Sequence, residues 1–435
     1  MVVVAAVVLV AAIAAGFALA FRGSLYAVVR ALGGANVVAM IANLPLWARV
    51  LLPAAGGLGA GLVGLWTARQ RGANGVGYVM EAIVLGRARV PLVRSMLQAI
   101  ASWLSIATGN SLGREGPLIQ FGAAAGEGAR RWLRLDDAAA RLVLAAGVAA
   151  GFASAYNAPI AATLFVVEVV TGVVALEATV PVLASAVIAT VLVRLATGAA
   201  PLYGIRTITA PDPLELFGFA GLGLVAAPLG VGFLRLLSRV EGWWRRLPQP
   251  VRPAAGGALC GAFLCALPAL AGNGFEEVSA LLDGHLAIGA VAALLLAKPL
   301  ATAASVGSGN PGGVFTPTLL LGACAGALYA AGLHAVLGAH ISASAAYVIV
   351  GLAAALAATT HAPVMAAVLA CELSGDWALA LPLLLACALA AALARRLYID
   401  SVYTAELTRR GLRWRLTLDG RREIENQQTT ATDVR

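Results

Sequence analysis

The sequence predicts an all-α integral membrane protein made of two related halves, and three observations carry that prediction. Of its 435 residues, 60% are hydrophobic and only 12% charged, where a soluble domain carries about 25% charged residues. The mean hydropathy is +0.88, and a surface of that kind is satisfied by lipid. Apolar runs repeatedly reach the roughly 20 residues that a helix needs to cross a bilayer, and motifs of the first half return in the same order 200 to 204 residues later.

The apolar runs, in chain order, fall at 1–21, 48–67, 141–170, 175–197, 214–234, 284–306, 317–338, 342–371 and 376–394, which implies on the order of ten crossings. Met1–Ala20 has neither a basic leading region nor a cleavage site, so it reads as a retained first helix. Several runs are cut by Gly and Pro. A membrane tolerates such breaks only where protein or a water-filled cavity shields the freed backbone groups, so they point to a site inside the bilayer.

The net charge of +9 is dispersed in short arginine clusters: Arg69 and Arg71; Arg87, Arg89 and Arg94; Arg130, Arg131 and Arg134; Arg245 and Arg246; Arg395 and Arg396. Loops of a positive-inside topology account for that pattern better than a nucleic-acid partner. The five cysteines lie in apolar runs, and neither they nor the four histidines have metal-binding or redox spacing. No metal, disulfide framework or cofactor is expected. From about Leu412 the chain turns polar, and residues 406–435 read as a solvated or disordered cytoplasmic tail too short for a regulatory domain.

Gly113, Pro117, Gly122 and Gly126 recur as Gly313, Pro317, Gly322 and Gly326, each displaced by 200 residues; Ala158, Pro159 and Glu168 recur as Ala362, Pro363 and Glu372, displaced by 204. Small residues also repeat because they pack membrane helices, but packing does not predict the repeated acids. Two membrane repeats, 1–205 and 206–405, are therefore expected to share one fold, with a binding site at their interface near the midplane.

Within the first repeat Gly113-Arg114-Glu115-Gly116-Pro117 opens an apolar helix, and Gly312-Gly313-Val314-Phe315-Thr316-Pro317 does so in the second. Glycine lets the backbone expose N–H groups at a helix start, which attracts anions. Two such starts meeting in mid-membrane hold a dehydrated anion with partial charges, binding it without trapping it. Glu115 is the sharpest single residue, because an ionisable group in the membrane is expensive. Its carboxylate can occupy the anion site itself, or cap the helix beside Arg114. Glu168 and Glu372 read as buried interhelical hydrogen-bonding groups, Tyr403 as an interfacial aromatic and Asn74 as a turn residue.

With GREGP at 113–117, GGVFTP at 312–317, the paired NAPIAATLFVVE and HAPVMAAVLACE segments and a late tyrosine, the chain resembles the CLC family of chloride channels and chloride/proton antiporters over nearly its whole length. Within it the likeness is greatest to the bacterial ClcB-type members. The resemblance implies an inverted repeat of tilted, broken helices and a homodimer with one pore per subunit. It also implies a bacterial inner membrane, both termini cytoplasmic, and chloride or another small anion as the ligand.

Residue by residue, the resemblance makes Glu115 the external gate, the amides of Val314 and Phe315 the central anion site, and Tyr403 the hydroxyl that contacts the anion at the inner end. Two departures stand out. Asn74 replaces the serine of the family's GSGIP loop, which bears on anion selectivity. Val169 stands where proton-coupled members carry an internal glutamate after the one matching Glu168, which favours a channel-like, uncoupled conductance. The alternative is an antiporter with another internal proton path, Glu168 included. Two readings from other classes compete: an intramembrane serine hydrolase using Ser308 and His361, and an organic-anion transporter, against which the site offers no arginine fork beyond Arg114.

Overall fold

A computed structural model describes residues 1–68, 75–86, 89–172, 175–204, 211–338, 342–409, 412–416 and 422–426. Arg69, Arg71 and Arg87 lie outside the described residues. Among those described, eight helices are long and apolar enough to span a membrane, and several shorter apolar helices lie between them. Bulky apolar side chains on their outer faces stand open, with Leu195 80%, Leu176 78% and Leu296 71% exposed. Water would penalise that surface and lipid does not, so the chain is a multi-pass integral membrane protein.

The first half runs α1 (Val2–Ala31), α2 (Val37–Asn43), α3 (Leu46–Ala68), α4 (Val76–Leu85), α5 (Leu92–Ala107), α6 (Glu115–Leu133), α7 (Asp137–Tyr156), α8 (Pro159–Leu164) with a π-helical continuation over Phe165–Thr171, and α9 (Leu176–Thr197). The second half follows the same plan with α10 (Leu216–Trp244), α11 (Val251–Ala266), α12 (Phe275–Leu282), α13 (Ile288–Gly307), α14 (Phe315–Leu337), α15 (Ser344–Thr360), α16 (Pro363–Ser374) and α17 (Ala380–Leu397). A short α18 (Thr404–Arg409) precedes two strands, β1 (Leu412–Leu416) and β2 (Arg422–Asn426).

Reciprocal hydrogen bonds relate the halves by a local two-fold. Ser105 Oγ donates to Asn310 Oδ1 at 2.9 Å and Ser305 Oγ to Asn110 Oδ1 at 3.4 Å; Asn110 Nδ2 donates to the carbonyl of Pro53 at 3.0 Å and Asn310 Nδ2 to that of Pro253 at 2.9 Å. Each asparagine thus ties the helix break before α6 or α14 to its own amide network and to the opposite repeat. Buried polar groups in a membrane are costly unless paired. Lys298, 1% exposed, meets that demand by donating to the carbonyls of Leu270 and Gly272, both at 2.9 Å. Glu215 accepts from Ser342 N, Ser342 Oγ and the Tyr347 hydroxyl.

One expectation changes. The apolar runs 141–170 and 342–371 are not single spans: each breaks at a residue in the left-handed region, Asn157 (φ 58°) and His361 (φ 60°), two residues before Pro159 and Pro363. The left-handed turn ends one helix and proline starts the next. In the tail, the described residues are helix α18 and two antiparallel strands that pair Leu412 with Asn426 and Leu416 with Arg422.

Candidate functional site

The breaks before α6 and α14 meet at one point. Gly113 and Gly313 form an isolated antiparallel bridge, each amide donating to the other's carbonyl at 2.7 and 2.8 Å. The starts of α6 and α14 follow this bridge two residues on, at Glu115 and Phe315. Glu115, the first residue of α6 and only 2% exposed, reaches across to the opposite helix. Its Oε1 accepts from Phe315 N at 3.0 Å and Thr316 N at 3.4 Å, and its Oε2 accepts from Thr316 Oγ1 at 3.2 Å. The unsatisfied N–H groups and positive dipole end of α14 hold the carboxylate. A Cβ on Gly313 would meet the Glu115 carboxylate, so a larger residue there would have to displace it from this seat.

Arg114 is not the partner of Glu115 in this arrangement. It lines a cavity of about 290 Å³ on one side of the bridge, together with Arg22, Leu112, Asn157 and Glu276. Glu115, Gly116, Gly312, Gly313, Val314, Phe315 and Tyr403 line a second cavity, of about 230 Å³. The segment 112–116 therefore contributes Leu112 and Arg114 to one cavity and, at its carboxylate end, Glu115 and Gly116 to the other.

Aromatic rings pack around Phe315, whose amide holds the Glu115 carboxylate. Phe315 packs edge-on to Phe152 with centroids 5.4 Å apart and lies 5.2 Å from Tyr156, while Phe165 stacks on Phe152 at 4.8 Å and meets Tyr403 edge-on at 5.6 Å. The Tyr156 hydroxyl bonds Thr316 Oγ1 at 2.9 Å, completing a chain Tyr156–Thr316–Glu115. Sequence reasoning missed Tyr156 and Thr316. Thr316 lies within the GGVFTP motif, but Tyr156 comes from the end of α7 and carries no local signal.

Asn74 lies outside the described residues. Its neighbour Gly75 caps α4 at φ 98° and donates to Gln120 Oε1 at 3.0 Å, which ties the start of α4 to α6. Glu168 and Glu372 are exchanged between the halves. Glu168 accepts from Val364 N at 3.3 Å and Met365 N at 2.7 Å at the start of α16; Glu372 accepts from Ile160 N at 3.0 Å and Ala161 N at 2.8 Å at the start of α8. Val169, next to Glu168 on the π-helical turn, is buried in the apolar core. The Ser308–His361 pair is not formed: Ser308 Oγ donates to Ser305 O at 2.7 Å and accepts from Asn310 Nδ2 at 3.2 Å. His361 sits in the turn that ends α15, its Nε2 buried and without a hydrogen-bond partner among the described residues.

A family model described as voltage gated chloride channel matches residues 55–395. A chloride channel protein described as ClcB-like, from Ralstonia nicotianae, is 40% identical over 344 residues, covering 77% of this chain and 80% of the relative. The voltage-gated ClC-type chloride channel ClcB of Citrobacter koseri is 36% identical over 301 residues, covering 68% and 71%. Among solved structures, a slow cyanobacterial Cl−/H+ antiporter shares the fold at a TM-score of 0.85 and 24% identity over 94% of this chain and 98% of that one. A CLC-type fluoride/proton antiporter does so at a TM-score of 0.76 and 22% identity, over 92% and 95%. Duplicated helix starts, a carboxylate seated on one of them and matches of this extent lead to one conclusion: the chain belongs to the CLC family.

Proposed function

We propose that the protein carries chloride and other small anions across a membrane through a path gated by Glu115, as a passive, channel-like conductance. The observation that carries this reading is the seat of the Glu115 carboxylate on the Phe315 and Thr316 amides. A site that binds one anion tethered to the chain has the donors to bind a free one. When Glu115 leaves or is protonated, those N–H groups are released to chloride, and the amides of Val314 and Phe315 with the Tyr403 hydroxyl form its central site. Relatives described as chloride channels support chloride as the cargo. The working assembly is a homodimer with one path per subunit, in a bacterial inner membrane with both termini cytoplasmic.

Two features favour a conductance over an exchanger. Val169 is aliphatic and cannot carry a proton, and Glu168 is committed to two backbone amides. Chloride efflux from liposomes, with pH recorded in the same vessel and a potassium shunt present, tests the reading. Efflux without proton movement is expected. Proton movement at a fixed ratio to chloride would establish an antiporter with another internal proton path.

Two substitutions refine the test. Val169→Glu places an acid one residue beyond Glu168, and proton movement coupled to chloride is expected to appear. If none does, more than that one side chain separates this protein from coupled members. Tyr403→Ala removes from the cavity wall a ring that packs edge-on against Phe165. Flux should rise by up to about tenfold, equivalent to about 1.4 kcal/mol off the barrier; an unaltered rate would leave Tyr403 as a packing residue only.

A further inference from the structure

We propose that the arginine-lined cavity between the ends of α4 and α6 and the start of α7 binds the phosphate of an anionic membrane lipid. The cavity, of about 130 Å³, takes Arg89 from the residues after α4, Glu127 and Arg130 from α6, and Asp137 and Arg141 from α7. It shares no lining residue with the two cavities at the Gly113–Gly313 bridge, so the inference stands apart from the anion path. The charges in it do not cancel. Glu127 already faces two cations, Arg130 at 2.9 Å and Arg131 at 3.0 Å, and Asp137 lies within electrostatic reach of Arg130. Arg89 and Arg141 form no ion pair among the described residues. Backbone contacts place them instead. Arg141 Nε donates to the Asp137 carbonyl at 3.3 Å and lies against Gly86, where a Cβ would stand 3.6 Å from it. The Tyr78 hydroxyl donates to the Arg89 carbonyl at 2.8 Å and fixes the chain there.

Three guanidinium groups from three separate elements suit a phosphate, whose oxygens match their planar forks. The depth in the membrane identifies the phosphate as a lipid's. Trp132 is 75% exposed on the last turn of α6, about 200° round the helix from Arg130, and stands between Arg131 and Arg134 in the chain. An exposed tryptophan among arginines at a helix end marks the headgroup layer. The apolar surface of the membrane region also reaches this level: the first turns of α1, with Val4 64% exposed, pack through Ala6 and Val10 on Ala125 and Ala129 near the end of α6. Arg89 and Arg141 are both exposed, so the cavity is open at that depth. Basic pockets between membrane helices at headgroup level take anionic lipid headgroups.

Retention of phosphatidylglycerol by the purified full chain in a neutral detergent, followed by native mass spectrometry, tests the site. R89Q and R141Q should each weaken retention about fivefold, and the double variant more. R141K keeps the charge but not the fork, so it should fall between native and R141Q. R246Q, which removes an arginine just past α10, should bind as the native chain does. Equal retention by native, R89Q and R141Q would overturn the site. So would an equal loss in R246Q, which would reduce the effect to diffuse attraction between lipid and basic surface. Inorganic phosphate at the same concentration as the lipid should leave the lipid bound; displacement would make this a site for soluble phosphate and overturn the lipid assignment. If the arginine variants do not fold, a photoreactive phosphatidylglycerol decides on the native chain. Crosslinks within residues 127–144 support the site, and crosslinks confined to other segments overturn it.

Discussion

Glu115→Gln and Glu115→Ala should raise anion flux by about tenfold or more and remove its dependence on pH. In the folded protein the Glu115 carboxylate accepts two backbone amides and the Thr316 hydroxyl. Hydrogen bonds to a charged group contribute about 1.5–3 kcal/mol each, so in the proposed gate the seated carboxylate competes with a free anion for the same donors. A shift of only about 1.4 kcal/mol toward the open form changes its relative population tenfold. Alanine removes the plug. Glutamine keeps the shape but not the charge, so the α14 amides no longer prefer the side chain to a free anion.

The sign of the pH response follows from the same contacts. Protonation turns an acceptor-only carboxylate into a neutral acid, which weakens its hold on the amides, so native flux should rise as pH falls. A glutamine cannot be protonated in that range, and an alanine has nothing to protonate. Efflux measured at stepped pH for the three proteins checks both parts. If either variant kept native flux together with a native pH response, the carboxylate would be a helix cap and not a gate.

How much of this was legible depends on whether the relevant signal is local. Glu115, Gly313 and Phe315 stand out in the sequence because an anion seat made of backbone needs a glycine break and a helix start, and both leave a mark in consecutive residues. Tyr156 and Gln120 left none. Each acquires its place only when α7 and α6 pack around the Gly113–Gly313 bridge. The unbroken hydropathy of 141–170 and 342–371 concealed their breaks, since the left-handed turns at Asn157 and His361 depend on backbone conformation and not on polarity. In the tail the strands were hidden by composition. LRWRL alternates with the two-residue period of a strand, but the polar residues after it dominated the composition and hid a hairpin.

Glu168 and Glu372 carry the second large expectation, and it concerns stability. Pro159 and Pro363 occupy the first positions of α8 and α16, where proline has no N–H to satisfy. The next two N–H groups of each helix remain, and in lipid each unpaired backbone group costs several kcal/mol. Each is answered by the glutamate of the opposite repeat. This exchange explains why the acid recurs at the same offset in both halves, a fact that helix packing alone left unaccounted for. Glu168→Gln and Glu372→Gln each replace one accepting oxygen by a donor facing a donor, and should each cost about 2–4 kcal/mol. Because α8 and α16 pack on each other, the double variant should depart from additivity. Thermal unfolding of the purified protein in detergent measures both effects. A Glu168→Gln protein with native stability but altered proton movement would reassign that residue to the proton path. Two substitutions of equal cost would establish that the repeated acid is the clasp holding the inverted halves together.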